Sequence, residues 1–149
     1  QVNGNTICRC FVKKLYEASA NGVPIDLLVR GNCSLITGIP GVSDTIHING
    51  IIDRYLEHSR IFIFAAGGEN KTFIGSADWM PRNLDNRVEV IAPVYDPKIK
   101  EDLWTVIDYG LRDNCQGSIV DGIGENRPWT TDSDVPFRSQ EELYKHYKL

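Results

Sequence analysis

Two apolar segments joined by a glycine-rich turn constrain the fold of this chain more than any other feature. Residues 60–65 and 72–75 are rich in aromatic and β-branched side chains, and the sequence between them, Gly67-Gly68-Glu69-Asn70, is typical of a tight turn. The pattern predicts a β-hairpin. Because side chains two residues apart on a strand point the same way, polar groups that flank this hairpin are expected to gather at one edge of a sheet.

Four polar residues flank the predicted hairpin. His58 and Arg60 stand at the start of its first strand, and Ser76 and Asp78 follow its second strand. A histidine can act as a nucleophile toward phosphorus or as a general acid, and an arginine can neutralise charge on phosphoryl oxygens. The Ser76 hydroxyl could donate to a phosphate oxygen, whereas Asp78 suits such a site only if a cation or a proton intervenes. The set predicts phosphate chemistry.

Structural roles are the alternative for these residues. His58 could cap a helix predicted over residues 51–56, Arg60 could form a surface pair with Glu57, and Ser76 could shape a turn at the strand end. The sequence alone leaves these alternatives open.

Glu89 lies inside an apolar run, and a buried carboxylate needs a partner. It could hold the His58 ring in one tautomer, or it could form a salt bridge with Arg87 or Arg54.

Arg30 ends a predicted buried strand just before a glycine, and ligands of open α/β sheets collect beyond the carboxyl ends of strands. Its planar guanidinium suits phosphate. Arg82 and Asn83 fall in a loop predicted after Trp79 and could add phosphate contacts, although a solvated loop is the structural alternative.

Apolar periodicities along the chain place helices between strands, which indicates an α/β fold with a mixed sheet flanked by helices. Helices are expected at residues 10–20, 51–56, 97–111 and 139–147, and strands at residues 23–29, 45–48, 60–65, 72–75 and 87–94. A loop is expected at residues 32–42 and an irregular loop at about 115–134. The length of 149 residues predicts a single domain spanning 1–149.

The composition and charge exclude several classes of protein. Hydrophobic residues make up 42% and charged residues 24%, as in ordinary globular proteins, and no apolar stretch or N-terminal pattern indicates a membrane span or a signal peptide. The net charge of −4 argues against a nucleic-acid partner, so any phosphate must be held by a local cluster or by another part of a larger protein.

The four cysteines form no Cys-x-x-Cys pair, and reduced structural thiols in the cell interior are expected.

Five ordered blocks resemble the C-terminal catalytic region of bacterial polyphosphate kinase. The blocks are KLYEAS at 14–19, IDLLVRG at 25–31, DRYLEHSR at 53–60, SADWMPRN at 76–83 and RVEV at 87–90. The likeness runs from about residue 11 to 113 and returns at residues 138–140. It implies a phospholipase D-like half, the second of two that together form one active site.

The resemblance implies a cytoplasmic, nucleotide-binding transferase that makes inorganic polyphosphate from the terminal phosphate of ATP, reversibly and with Mg²⁺. Arg30 would contact phosphate, His58 would be the second active-site histidine, Glu89 would pair with it, and Arg60 would assist. The histidine that becomes phosphorylated would lie on another domain of the same enzyme, so this chain alone is expected not to turn over ATP. Further implied partners are the remaining domains and other copies in a homo-oligomer, with membrane association of the full-length enzyme left open.

Two other functions remain as alternatives. One is a phospholipase D-like phosphodiesterase that acts as a homodimer, and the other is a non-catalytic phosphate-binding domain. Compared with phospholipase D, Arg60 stands in the usual lysine position and Asp78 in the usual asparagine position, which argues against phosphodiester cleavage. No acidic cluster in the sequence predicts a metal site, so Mg²⁺ is implied by the resemblance alone.

Overall fold

The computed structural model describes residues 2–3, 7–31, 33–121, 127–131 and 133–148. The strands are β1 (Val2–Asn3), β2 (Ile25–Arg30), β3 (Ile46–Ile51), β4 (Ile61–Phe64), β5 (Lys71–Gly75), β6 (Ile91–Val94) and β7 (Gly117–Ile119). The helices are α1 (Arg9–Ala20), α2 (Pro81–Asn86), α3 (Pro97–Arg112) and α4 (Ser139–Tyr147). The predicted α/β fold is confirmed. None of the helices in these ranges is long and apolar enough to cross a membrane.

The strands form two sheets. The first has the order β1-β2-β3-β7, in which the first three strands are parallel and β7 is antiparallel to β3, so the predicted mixed sheet is confirmed. The second sheet is antiparallel with the order β4-β5-β6. Its first two strands are the predicted hairpin, with Ile61 opposite Ile74.

Helices cover both faces of the first sheet. Leu27 and Val29 of β2 are buried in a core cluster against which Phe11 and Leu15 of α1 pack. Leu28 points to the opposite face, as alternate strand residues do, and lies against α3. At that contact α3 carries Gly110, where an added Cβ would come within 2.5 Å of a Leu28 methyl group, so glycine permits the close approach of helix and sheet.

The ends of the long helices follow the sequence signals. α1 is followed by Gly22 with a φ of 80°, a left-handed conformation that glycine adopts without strain. α3 begins with Pro97, and the Asp96 carboxylate accepts hydrogen bonds from the backbone N–H groups of Lys98 and Ile99 at 2.8 and 3.2 Å. These signals explain why α1 and α3 lie close to their predicted bounds; α4 also has its predicted bounds.

The predicted helix over residues 51–56 is wrong. Ile51 instead ends β3, which extends three residues beyond the predicted strand at 45–48, and its partner is Gly117 of β7. Residues 52–60 form neither helix nor strand. This segment carries His58, so the alternative in which His58 caps a helix is also wrong.

Three further local predictions need correction. The strand predicted over 87–94 begins only at Ile91, which leaves Glu89 in the segment before β6. Arg82 and Asn83 lie in α2 and not in a loop, because Pro81 starts a helical turn. The loop predicted at 115–134 contains β7, while its residues 122–126 and 132, together with residue 32 of the loop predicted at 32–42, lie outside the described residues.

Candidate active site

The hairpin joins Arg60 to Asp78. The backbone N–H of Gly75 donates to the Arg60 carbonyl at 2.9 Å, which continues the pairing of β4 and β5 by one residue. The Nε and Nη2 groups of Arg60 then donate to Oδ1 of Asp78 at 3.0 and 2.8 Å. Only 14% and 10% of these two side chains is exposed. Arg60 is therefore the cation that neutralises Asp78, and the surface pair with Glu57 is not formed.

Two arginines hold the peptide beside His58. Nη1 of Arg30, at the end of β2, donates to the Glu57 carbonyl at 2.7 Å, and Nη1 of Arg60 donates to the carbonyl of His58 itself. Arg30 is 27 positions away in sequence from the Glu57 carbonyl, and Arg60 is 2 positions away from the His58 carbonyl. The fold thus brings two of the three arginines predicted to meet phosphate, Arg30 and Arg60, to the segment that carries the histidine.

The His58 side chain is exposed. Among the residues that the structure describes, no group forms a hydrogen bond or an ion pair with its imidazole. An exposed imidazole on a segment whose backbone is held in place can exchange a proton with a bound molecule, which is the chemistry that the sequence predicts for it.

Glu89 pairs with Ser76. The Ser76 hydroxyl donates to the Glu89 carboxylate and accepts from the backbone N–H of Val90 at 3.1 Å, while the Ser76 N–H donates to the Val90 carbonyl at 3.0 Å. These bonds tie the end of β5 to the segment before β6. Among the described residues, neither the His58 ring nor an arginine forms a hydrogen bond or ion pair with the carboxylate, so the predicted pairing of Glu89 with His58 stays a prediction.

The two α2 residues have different surroundings. Arg82 is exposed, whereas Asn83 is 2% exposed and its Oδ1 atom has no hydrogen-bond partner within the described part of the chain. Trp79, just before α2, stacks on Phe11 and Phe62 with ring centroids 4.8 and 5.6 Å apart, so it belongs to the core. Arg82 can meet a ligand directly, but the Asn83 side chain is closed off from solvent.

A set of contacts from α4 supports the segment before His58, and the residue patterns did not predict it. Arg138 Nη2 binds Oδ1 of Asp53 at 2.5 Å and its Nε binds Oδ2 at 3.0 Å. The Asp53 side chain is 1% exposed, and the hydrogen bonds from Arg138 lower the pKa of this carboxyl against the opposing effect of burial. Gln140 binds Tyr55 and Glu57. The returning likeness at residues 138–140 is the sequence signal for this support.

A cleft of about 500 Å³ opens beside this support. Its walls are residues 53–55 and the first turns of α4, with Arg54, Tyr55 and Lys145 among the lining side chains. His58, Arg30 and Glu89 do not line it, so it is separate from the group of candidate residues.

The described residues do not fit a magnesium site of their own. They contain no group of three or more His, Cys, Asp or Glu side chains that could hold a metal ion. The carboxylates of the candidate residues and of the neighbouring Glu57 already have partners: Asp78 binds Arg60, Glu89 binds Ser76 and Glu57 binds Gln140.

The sequence family described as polyphosphate kinase C-terminal domain 2 matches residues 5–140, which include every candidate residue above. The chain belongs to the polyphosphate kinase family. It is 42% identical over 144 residues to the polyphosphate kinase of Escherichia coli strain K12, an alignment that covers 97% of this chain and 21% of that protein. It is 48% identical over 136 residues to polyphosphate kinase 1 of Chlorobaculum tepidum, covering 90% of this chain and 19% of the relative.

A solved polyphosphate kinase has the same fold as this chain. The crystal structure of polyphosphate kinase from Porphyromonas gingivalis matches 99% of this chain with a TM-score of 0.92 and 39% sequence identity, and the match covers 22% of that protein. The chain therefore spans about a fifth of the length of the polyphosphate kinases that it resembles.

Proposed function

We propose that this chain supplies one half of the active site of a polyphosphate kinase, which transfers the terminal phosphate of ATP reversibly to inorganic polyphosphate. The observation that supports this most is that two arginines bind the backbone on either side of the exposed His58, within a chain of the polyphosphate kinase family. A titratable group next to fixed cations is what the transfer of a charged phosphoryl group needs.

His58 and Arg30 take the direct roles in this proposal. His58 donates or accepts the proton at the transferring phosphate, since the two ring nitrogens of an exposed imidazole can serve as donor and acceptor. Arg30 uses one N–H for the Glu57 carbonyl, and its remaining donors hold phosphate oxygens. The histidine that carries the phosphoryl group lies on another domain of the enzyme, and that domain supplies the other half of the active site.

Arg60, Asp78, Ser76 and Glu89 take supporting roles. Arg60 has two of its N–H groups on Asp78 and a third on the His58 carbonyl, so it fixes the His58 peptide more than it attracts phosphate. One Glu89 oxygen binds Ser76. We assign the other oxygen to the His58 imidazole in the assembled active site, where it would select one tautomer.

Arg82 is exposed at the start of α2, and we assign it to the phosphate chain of ATP or polyphosphate. Asn83 supports α2 from inside, because its side chain is buried. Mg²⁺ is assigned to no residue of this chain. The cytoplasmic location, membrane association and homo-oligomeric state of the full-length enzyme stay predictions.

The test is an assay of the full-length enzyme with ATP, in which ADP and acid-insoluble polyphosphate are measured together, and a parallel assay with a chromogenic phosphodiester. We expect ADP and polyphosphate to form in proportion and the diester to remain intact. Diester hydrolysis without polyphosphate would favour the homodimeric phosphodiesterase. Calorimetric binding of phosphate without turnover of either substrate would favour a non-catalytic domain.

A further inference from the structure

We propose that Gln140, in the first turn of α4, is a positioning residue for His58. Its side-chain amide holds the irregular segment that leads to the histidine, and its substitution disturbs catalysis without removing any group that touches substrate. The inference rests on the proposed function, in which His58 exchanges a proton with the transferring phosphate.

The Gln140 amide makes three hydrogen bonds to this segment. Oε1 accepts from the backbone N–H of Tyr55 at 2.9 Å, and Nε2 donates to the Tyr55 carbonyl at 2.8 Å and to Oε1 of Glu57 at 2.8 Å. A primary amide can bind both backbone groups of one residue because it has an acceptor and two donors. The contact spans 85 residues of sequence and fixes a stretch that has no helix or strand pairing of its own.

Glu57 connects this contact to the candidate catalytic residues. Its carboxylate binds Gln140, and its backbone carbonyl accepts the hydrogen bond from Arg30 at 2.7 Å. The next residue is His58, whose own carbonyl binds Arg60. Gln140 therefore sets the position of one peptide that both orients Arg30 and carries the His58 side chain.

The helix that presents Gln140 is itself fixed at its start. Arg138 pairs with the buried carboxylate of Asp53, and the Ser139 N–H and hydroxyl donate to Oδ2 of Asp113 at 2.8 and 2.7 Å. Asp113 is completely buried. A glutamine on a fixed helix end can act as a support, since the position of its backbone is already set when its side chain binds the segment.

Two substitutions separate the parts of this contact. Gln140→Glu keeps an acceptor for the Tyr55 N–H but loses both donors and places a second carboxylate beside Glu57. Gln140→Leu removes all three hydrogen bonds with little change in size. The matched control is Glu142→Gln, an amide-for-acid exchange on the same helix at a residue whose described partner is Lys145 and not the segment before His58.

The experiment measures kcat, KM for ATP and the pH profile of kcat in the full-length enzyme, at a temperature where thermal unfolding shows every variant to be folded. We expect both Gln140 variants to lower kcat by about 10- to 100-fold, since small displacements of a catalytic group have effects of this size. KM should change by less than about 3-fold. The pH profile should shift because the surroundings of His58 change, and the control should match the wild type.

Three results would contradict the proposal. If the Gln140 variants keep the wild-type kcat and pH profile, Gln140 does not position His58, while the proposed function stands. If kcat falls only in proportion to the folded fraction, with an unchanged pH profile, the role of Gln140 is structural. If Gln140→Leu does not fold, Gln140→Glu decides between these outcomes. A wild-type enzyme that makes no polyphosphate would instead overturn the proposed function and this inference together.

Discussion

At the scale of single residues, Arg60 has most of its hydrogen-bonding capacity taken up within this chain. Asp78 accepts two of its N–H groups and the His58 carbonyl accepts a third. Both members of the ion pair are largely buried, so their attraction is screened less than that of a surface pair. Arg60 consequently acts as a fixed link between the hairpin and the His58 peptide.

We predict that Asp78→Ala lowers the free energy of unfolding by about 3 kcal/mol, because it leaves the Arg60 guanidinium buried without its counter-charge. Urea unfolding of the folded chain measures this change. The control is Glu17→Ala, which breaks the exposed pair with Lys14 and should cost less than about 1 kcal/mol. Equal losses in the free energy of unfolding for the two substitutions would show that the buried Arg60–Asp78 pair stabilises the fold no more than an exposed pair does.

The cysteines form a second residue-scale case. The sulfur atoms of Cys8 and Cys10 lie 2.7 Å apart at the start of α1, at a Cys-x-Cys spacing that the Cys-x-x-Cys pattern does not cover. The hydrogen bond from the Cys10 thiol lowers the pKa of Cys8, whereas burial raises the pKa of Cys33. Since the thiolate is the nucleophile, these two cysteines should differ in reactivity.

We predict that iodoacetamide at pH 7.5 modifies Cys8 before Cys33, and that Cys10→Ala slows the modification of Cys8 by removing its hydrogen-bond partner. Peptide mass spectrometry at successive times measures both rates, with the unfolded chain as the control in which the rates converge. Faster modification of Cys33 in the folded protein would contradict the assignment.

At the scale of elements, the sequence predicts the helices and strands whose ends or turns are determined by neighbouring residues. The β4–β5 hairpin follows from its turn and its branched residues, and its register brings Arg60 to Asp78. α3 follows from Pro97 and the Asp96 cap, and α4 from its apolar spacing. The pairing of Ser76 with Glu89 could not be predicted, because it depends on how the segment before β6 lies beside β5.

Long-range contacts account for the elements that local patterns miss. Residues 51–56 have helical spacing, but Ile51 pairs with β7. Asp53 and Tyr55 bind Arg138 and Gln140, each 85 positions later, at the start of α4. β7 has only three residues, too few to show an alternating pattern. It begins with Gly117, where an added Cβ would collide with the Asp113 carbonyl and the Asn49 side chain, so packing selects glycine in a segment that resembles a loop.

The link between α4 and the segment before His58 should depend on pH. The pKa of Asp53 is lowered in the folded chain, chiefly by the hydrogen bonds from Arg138, so the carboxylate stabilises the fold above its unfolded pKa of about 4. This stabilisation is lost as the pH falls through the lower, folded pKa. We predict that Asp53→Asn destabilises the chain most above about pH 5, and that the difference from the wild type shrinks as the pH falls below about 4.

Urea unfolding of the wild type and of Asp53→Asn, at about five pH values between pH 2.5 and pH 7, measures the difference in their free energies of unfolding. Asp108→Asn is the control, because Asp108 forms an exposed pair with Arg112 on the same face of α3 and should contribute little at any pH. A destabilisation by Asp53→Asn that is constant over this range would show that the ion pair is not its cause.

At the scale of the whole molecule, the chain spans about a fifth of the polyphosphate kinases that it resembles. His58 is exposed and Arg30 keeps donors beyond the one that binds Glu57, so the candidate site faces outward with its polar groups available. Such a surface suits one side of an active site that another domain completes. That the chain alone does not turn over ATP stays a prediction, which the same ADP assay on the separate chain checks.

The most direct test of the account compares His58→Ala with His47→Ala in the full-length enzyme, by the rate of polyphosphate formation from ATP. Both histidines are exposed, but His47 lies on β3 beside Asp26 and has no role in the proposed site. We predict that His58→Ala lowers kcat by at least about 100-fold, the usual contribution of a general acid or base, with unchanged thermal unfolding, and that His47→Ala stays within about 2-fold of the wild type. Full activity of His58→Ala would contradict the claim that this chain carries half of the active site through His58.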